Sequence, residues 1–277
     1  METLKLFIEH LASQDNIVNK PEARKTFLEF RDALTQGKIR AAEKINGRWV
    51  VNSWVKQGIL LGFRLGELVE MGGVSDFSFV DNDTFPARHF SLADRVRVVP
   101  GGSSARLGAY IAPSVICMPP MYINVGAYVD EGTLVDSHAL VGSCAQVGKR
   151  VHLSAAAQVG GVLEPVNAAP VIIEDDVLVG GNCGIYEGTL VRTRAVLGAG
   201  TILTRSTPLY DLVRGEVYRA TPEKPLEVPE NAVVVPGSRA VNKGKAAEWS
   251  VSLYTPVIVK YRDEKTDRGI ELEEWLR

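Results

Sequence analysis

The stretch Ile123-Asn-Val-Gly-Ala-Tyr, Val129-Asp-Glu-Gly-Thr-Leu, Val135-Asp-Ser-His-Ala-Leu, Val141-Gly-Ser-Cys-Ala-Gln, Val147-Gly-Lys-Arg-Val-His divides into sixes. Each hexad opens on an aliphatic residue and carries a small or short-branched residue in fifth place. The same phase extends back to Ala105 and forward to Glu164, ten hexads without a gap. A Pro-bounded insertion, Pro165 to Pro170, shifts the phase by two, and six more hexads run from Ile173. Fourteen of the sixteen hexads open on Ile, Val or Leu. Those types make up 74 of 277 residues, so chance would supply about four such openings. A large side chain at position one and a small one at position five describe a narrow solenoid, whose interior is too tight for two large residues. Val228-Pro-Glu-Asn-Ala-Val and Val234-Val-Pro-Gly-Ser-Arg predict a last partial coil, reached after an excursion over Leu209 to Pro225.

Outward from the repeat, the period changes. Leu4, Phe7, Ile8 and Leu11 form a helical stripe, as do Phe27, Phe30 and Leu34 after Pro21. Val51, Trp54, Val55 and Ile59 begin a third helix, expected to end near Gly72-Gly73, and these stripes read as core packing. Asp76 to Phe90 is polar and reads as loop. The tail from Ser250 to Lys260 alternates as a strand, with a turn over Asp263 to Gly269 and a short helix from Glu271 to Leu276. The expected division is a helical N-terminal domain over 1–94, the solenoid over 95–240 and a C-terminal extension over 241–277. Solenoid ends expose backbone and apolar side chains, so the N-terminal helices and the C-terminal strand are expected to cap them.

Composition narrows the function. Lys+Arg 31 against Asp+Glu 33 leave a net charge of −2, which excludes a general nucleic-acid binder. Cys117, Cys144 and Cys183 are odd in number and lack CxxC spacing, which excludes a disulfide framework and a four-thiolate zinc site. No apolar run approaches the ~20 residues that span a bilayer, and the first residues lack a basic, apolar leader. A soluble cytoplasmic protein without membrane or nucleic-acid partners is expected. Gly142-Ser-Cys-Ala-Gln-Val-Gly-Lys149 has one residue too many for a phosphate loop, with Arg150 where a magnesium-binding hydroxyl belongs, and its glycines are expected to serve turns.

The sixteen hexads resemble the hexapeptide-repeat proteins, whose fold is a left-handed parallel β-helix with three hexads per triangular coil. The resemblance implies a mostly β chain of about five coils, assembled as a homotrimer. Most such proteins are acyltransferases that use coenzyme A thioesters; others are carbonic anhydrases or non-catalytic structural subunits. Three zinc-binding histidines would mark the anhydrases, but only His138 and His152 fall in the repeat, so no metal is expected. Met121 to Asp136, Val141 to Lys149, Gly160-Gly-Val-Leu-Glu-Pro165 and Ile172-Ile-Glu-Asp175 are more specific. Together with Arg97-Val-Val-Pro100 and the tail, they resemble the tetrahydrodipicolinate N-succinyltransferase family. That implies succinyl transfer from succinyl-CoA to the amine of a ring-opened dicarboxylate in lysine and diaminopimelate biosynthesis.

The resemblance implies site residues. Arg97 and Asp136 match the family's acceptor-binding pair, with Asp136 as the base and Ser143 and Glu187 as further substrate contacts. His138 is a rival base, because histidine titrates near neutrality. Gly180, Gly181, Gly198 and Ala199 are expected to admit the pantetheine arm of coenzyme A, with Lys243, Lys245 and Lys260 as phosphate partners. One departure bears on the acid–base assignment. The family carries an acidic residue where this chain has Gly184, which leaves Glu187 acting from another angle, or Asp136 with water. It also leaves open an acetyl donor, since enzymes that acetylate the same acceptor have hexads like Ile172 to Val177. Val141-Gly-Ser-Cys-Ala-Gln and the long N-terminal region favour succinyl.

Overall fold

A computed structural model describes the chain except residues 73–77 and 264–277. The hexads form a three-sided parallel β-solenoid in which every side is a sheet of short rungs. The first face runs from Arg97–Val98 through Ile116–Cys117, Leu134–Val135, His152–Leu153, Leu178–Val179 and Val196–Leu197. The second stacks Ser104–Ala105, Tyr122–Ile123, Leu140–Val141, Gln158–Val159, Gly184–Ile185 and Ile202–Leu203. The third stacks Tyr110–Ile111, Tyr128–Val129, Gln146–Val147, Ile172–Ile173, Leu190–Val191 and Glu227–Val228. Val129 pairs with Val147, three hexads on, and Val147 with Ile173, so the insertion is extruded without breaking the ladder.

Hexad position determines environment. Position-one residues such as Ile123, Val135, Val159 and Ile185 are fully buried, and so are position-five Ala145, Ala157 and Thr189. Position four turns the corner with positive φ, as at Gly126, His138, Cys144, Asn182 and Gly188. Gly142 and Gly148 do not turn corners. A β-carbon on either would strike the next coil, at 2.2 Å from the Gly161 nitrogen and 2.4 Å from Asp175, so close coil approach rather than turning requires glycine there. The expected last partial coil forms, with Val191 pairing Val228 and Leu197 pairing Val234.

The N-terminal region contains helices α1 (Glu2–Ala12), α2 (Lys20–Thr35) and α3 (Ser53–Leu65). Asn19 caps α2 by accepting a hydrogen bond from the Glu22 N–H, with proline in the first turn. Phe27, Phe30, Ile59 and Phe85 are buried together, whereas Phe7 of the first stripe is 55% exposed. The third helix is shorter than expected. Gly66 is extended at ψ 158°, and Leu68–Met71 then pairs antiparallel with Phe79–Asn82, inside the stretch expected to be loop. Val51 belongs to a hairpin, Ala42–Ile45 with Arg48–Val51, which turns at Asn46-Gly47 with both φ positive.

These elements lie along the side of the solenoid rather than over its end. Val125 and Cys144, at successive coil corners, share a buried cluster with the three helices. The Arg40 guanidinium stacks 3.6 Å from the Tyr128 ring centroid and its Nε donates to Gln146 Oε1. The hairpin is anchored on Glu174, which accepts from Lys44 Nζ and Trp49 Nε1, both at 2.8 Å. At the other end, Ala232–Ala240 continues the first face and pairs antiparallel with Ser252–Tyr261. The Tyr254 hydroxyl accepts from the Ile202 N–H and donates to its carbonyl, closing the last rung of the second face. The C-terminal strand thus caps as expected. Its expected turn and helix, beyond 263, lie outside the described residues.

Candidate active site

Asp136 follows the inward Val135 and points outward from the first face. It is half-buried, and its Oδ1 accepts from the Ser137 N–H at 2.7 Å, which fixes the carboxylate against the corner and leaves its other oxygen open. Register places Ser154, Gly180 and Gly198 above it on successive rungs. Arg97 lies two rungs below, about 10 Å away at the usual strand spacing. It is exposed and in register with Leu134 rather than Asp136. One face therefore carries Arg97 and Asp136 without bringing them into contact. His138 is exposed at the next corner, with a φ of 61°.

The four expected pantetheine positions differ. Gly180 is buried, and a β-carbon there would lie 2.6 Å from the Ala199 nitrogen, so its missing side chain admits the next coil. Gly181 and Gly198 are half-buried and Ala199 is exposed, so these three remain accessible. Lys243 is exposed just before the short helix α4 (Lys245–Glu248), Lys245 pairs with Glu248, and Lys260 pairs with Asp263.

Glu187 and Ser143 belong to other corners. Glu187 follows the second face, with φ 54°, and its Oε2 accepts from the Arg205 N–H at 2.6 Å. Ser143 is half-buried, and its carbonyl accepts from the Val162 N–H where the insertion leaves the coil. Glu187 lines a cleft of about 950 Å³ whose walls are the N-terminal hairpin at Arg48 and Trp49, the tenth hexad from Gly160 with the insertion that follows it to Ala169, and the excursion at Pro222 to Pro225. Within one chain, Asp136 and Glu187 therefore sit on different faces.

Two features, one in the cleft and one behind its wall, were missed by the sequence reading. Tyr186 lies across the position of the missing acidic residue: β-carbons at Gly184 and Gly160 would fall 2.5 Å and 2.7 Å from its ring. The spacing Gly-Ile-Tyr was the available signal, since residues 184 and 186 share the outward side of a strand. Lys56, on α3, is fully buried and donates to the Ala168 carbonyl at 2.7 Å, tying the insertion to the helices. Burial pushes its pKa down. Ala169 in turn packs on Gly188, whose β-carbon would lie 2.6 Å from the Ala169 oxygen. The insertion is held from both sides.

Electrostatics is sharpest at Glu174. Burial favours its neutral form, but hydrogen bonds from Lys44, Trp49 and the Thr193 N–H outweigh it and hold the carboxyl at about 2. The three thiols are free and buried, and burial pushes Cys117 and Cys144 up to about 12, leaving no reactive thiolate there. Among the described residues no cluster of His, Cys, Asp or Glu could hold a metal ion, and no helix is long and apolar enough to cross a membrane.

A three-sided coil of hexads with an outward carboxylate and a flanking cleft defines the hexapeptide-repeat, left-handed β-helix class. Residues 170–205 match the hexapeptide repeat of succinyl-transferase, and residues 3–65 match the tetrahydrodipicolinate N-succinyltransferase N-terminal model. The chain is 46% identical to the 2,3,4,5-tetrahydropyridine-2,6-dicarboxylate N-succinyltransferase of Aromatoleum aromaticum, over 88% of this chain and 86% of that one. It is 44% identical to the enzyme of the same name from Azoarcus sp. BH72, over 97% and 95%. The counterpart from Legionella pneumophila is 43% identical over 90% and 87%. The chain belongs to the tetrahydrodipicolinate N-succinyltransferase family.

Proposed function

We propose that this chain transfers a succinyl group from succinyl-CoA to the amine of ring-opened 2,3,4,5-tetrahydropyridine-2,6-dicarboxylate, in lysine and diaminopimelate biosynthesis in the cytoplasm. The observation that carries the reading is likeness along nearly the whole length, 44% over 97% of this chain and 95% of the relative. Arg97 holds an acceptor carboxylate as a fixed cation. Asp136 takes a proton from the ammonium, freeing the nitrogen to attack the thioester carbonyl. The C–N bond forms and the C–S bond breaks; of the two protons the ammonium gives up on becoming an amide, one passes to the departing thiolate and the other to solvent. Coenzyme A lies along Gly181, Gly198 and Ala199, with Lys243 and Lys260 near its phosphates.

The working unit is a homotrimer with its sites between chains. The support is geometric: Asp136 and the Glu187 cleft occupy different faces of one solenoid, and neighbouring solenoids packed side by side would bring one of each together. The test is acceptor-dependent thiol release from succinyl-CoA, alongside a thermal shift with coenzyme A. A non-catalytic subunit would give neither.

A further inference from the structure

We propose that Tyr186 determines specificity for the acceptor, its phenol donating a hydrogen bond to the carboxylate remote from the reacting amine. The inference rests on the acyl-transfer reading above. Tyr186 occupies position two of its hexad, directly after the inward Ile185, so its side chain must leave the solenoid. The ring does not extend into solvent. It folds back along its own strand over Gly184 and against Gly160, its register neighbour one coil earlier. Two glycines on adjacent rungs make this seat, and neither position has room for a β-carbon beneath the ring. A tyrosine held this way presents its hydroxyl at small entropic cost, having few rotamers left to lose on binding.

Its surroundings narrow the choice of ligand. Tyr186 lines the cleft, and its hydroxyl has no hydrogen-bond partner among the described residues. The adjacent carboxylate, Glu187, is engaged by the Arg205 N–H. The reacting amine needs a proton acceptor, which Asp136 provides on another face, so the phenol suits the end of the acceptor that carries no amine. A neutral donor favours a carboxylate there; the cleft's cations Arg48, Arg192, Arg205 and Lys224 are matched by Glu164, Glu187, Glu223 and Glu227, so the preference falls to the phenol rather than to net charge.

Two acceptors separate this contact from a structural role: 2-aminoheptanedioate, an open-chain amino dicarboxylate, and 2-aminoheptanoate, the same chain without the remote carboxylate. Tyr186→Phe keeps the ring on its glycine seat and removes only the hydroxyl. We expect it to raise KM for the dicarboxylate about tenfold, the scale for one hydrogen bond to a charged group, with kcat and the KM of the monocarboxylate unchanged. An equal rise for both acceptors, or none for either, overturns the assignment. Calorimetric titration of the dicarboxylate into protein saturated with coenzyme A reads the same contact without turnover. If wild-type protein transfers no acyl group yet Tyr186→Phe weakens this binding, the reaction assignment fails and the contact stands. Equal affinities remove the contact.

Discussion

The Tyr186 ring lies where a side chain at Gly184 would begin, with a β-carbon at position 184 only 2.5 Å from it. Gly184 and Tyr186 therefore constrain each other. Gly184→Glu should cost about 1–3 kcal/mol, the range for overpacking, because the ring must leave its seat. Adding Tyr186→Val should recover most of that loss. Denaturant unfolding of the two singles and the double measures the coupling, and additive losses would mean that the ring moves aside freely.

Glu174 links the hairpin to the coils. Its folded-state carboxyl lies at about 2 against an ordinary 4.5. The sign follows from that depression: the stabilisation is complete above the unfolded value and is lost as pH falls from about 4.5 towards 2. Glu174→Gln should lower stability near neutrality by about 1–3 kcal/mol and flatten the acid limb in that window. Thermal melts at pH 7 and pH 3 test this, and a variant with the wild-type acid limb would contradict it.

Asp136→Asn should leave the fold intact, because the amide oxygen can still accept from the Ser137 N–H. Turnover should fall by roughly two to four orders of magnitude, the range for losing a general base. His138→Ala, at the exposed corner two residues on, is the control and should retain activity. The reverse pattern would assign the base to the histidine.

Light scattering at micromolar concentration should report about three times the chain mass of 30.1 kDa. A monomer with full activity would contradict a site shared between chains.

The solenoid was legible because its constraint is local and repeated. Position one must fill the interior and position five must stay small, so Val135 and Ala139 announce their environment in every coil. The N-terminal region was less legible. Leu68–Met71 lies in an apolar stretch that a helix could also use, and only pairing with Phe79–Asn82 makes it a strand. The hairpin at Asn46-Gly47 carried a readable turn signal that the surrounding helical stripes obscured. That Asp136 points outward follows from its hexad position, but Asp130 and Glu174 share that position, and only the family resemblance singles Asp136 out. The Tyr186 seat depends on register between coils, with an eight-residue departure from the regular spacing between Val159 and Ile185, and Lys56 meets Ala168 from 112 residues away. The Lys56 relation has no short-range signature, and for Tyr186 the Gly-Ile-Tyr spacing signals only the Gly184 half of the seat, the Gly160 half being set by coil register.

Donor preference tests the central claim most directly. With the tetrahydropyridine dicarboxylate as acceptor, thiol release is followed side by side with succinyl-CoA and acetyl-CoA, and kcat/KM is compared. The account predicts a preference for succinyl-CoA of at least about tenfold, the effect of one favourable transition-state contact to the added carboxylate. Equal or faster release from acetyl-CoA, or no acceptor-dependent release from either, would contradict it.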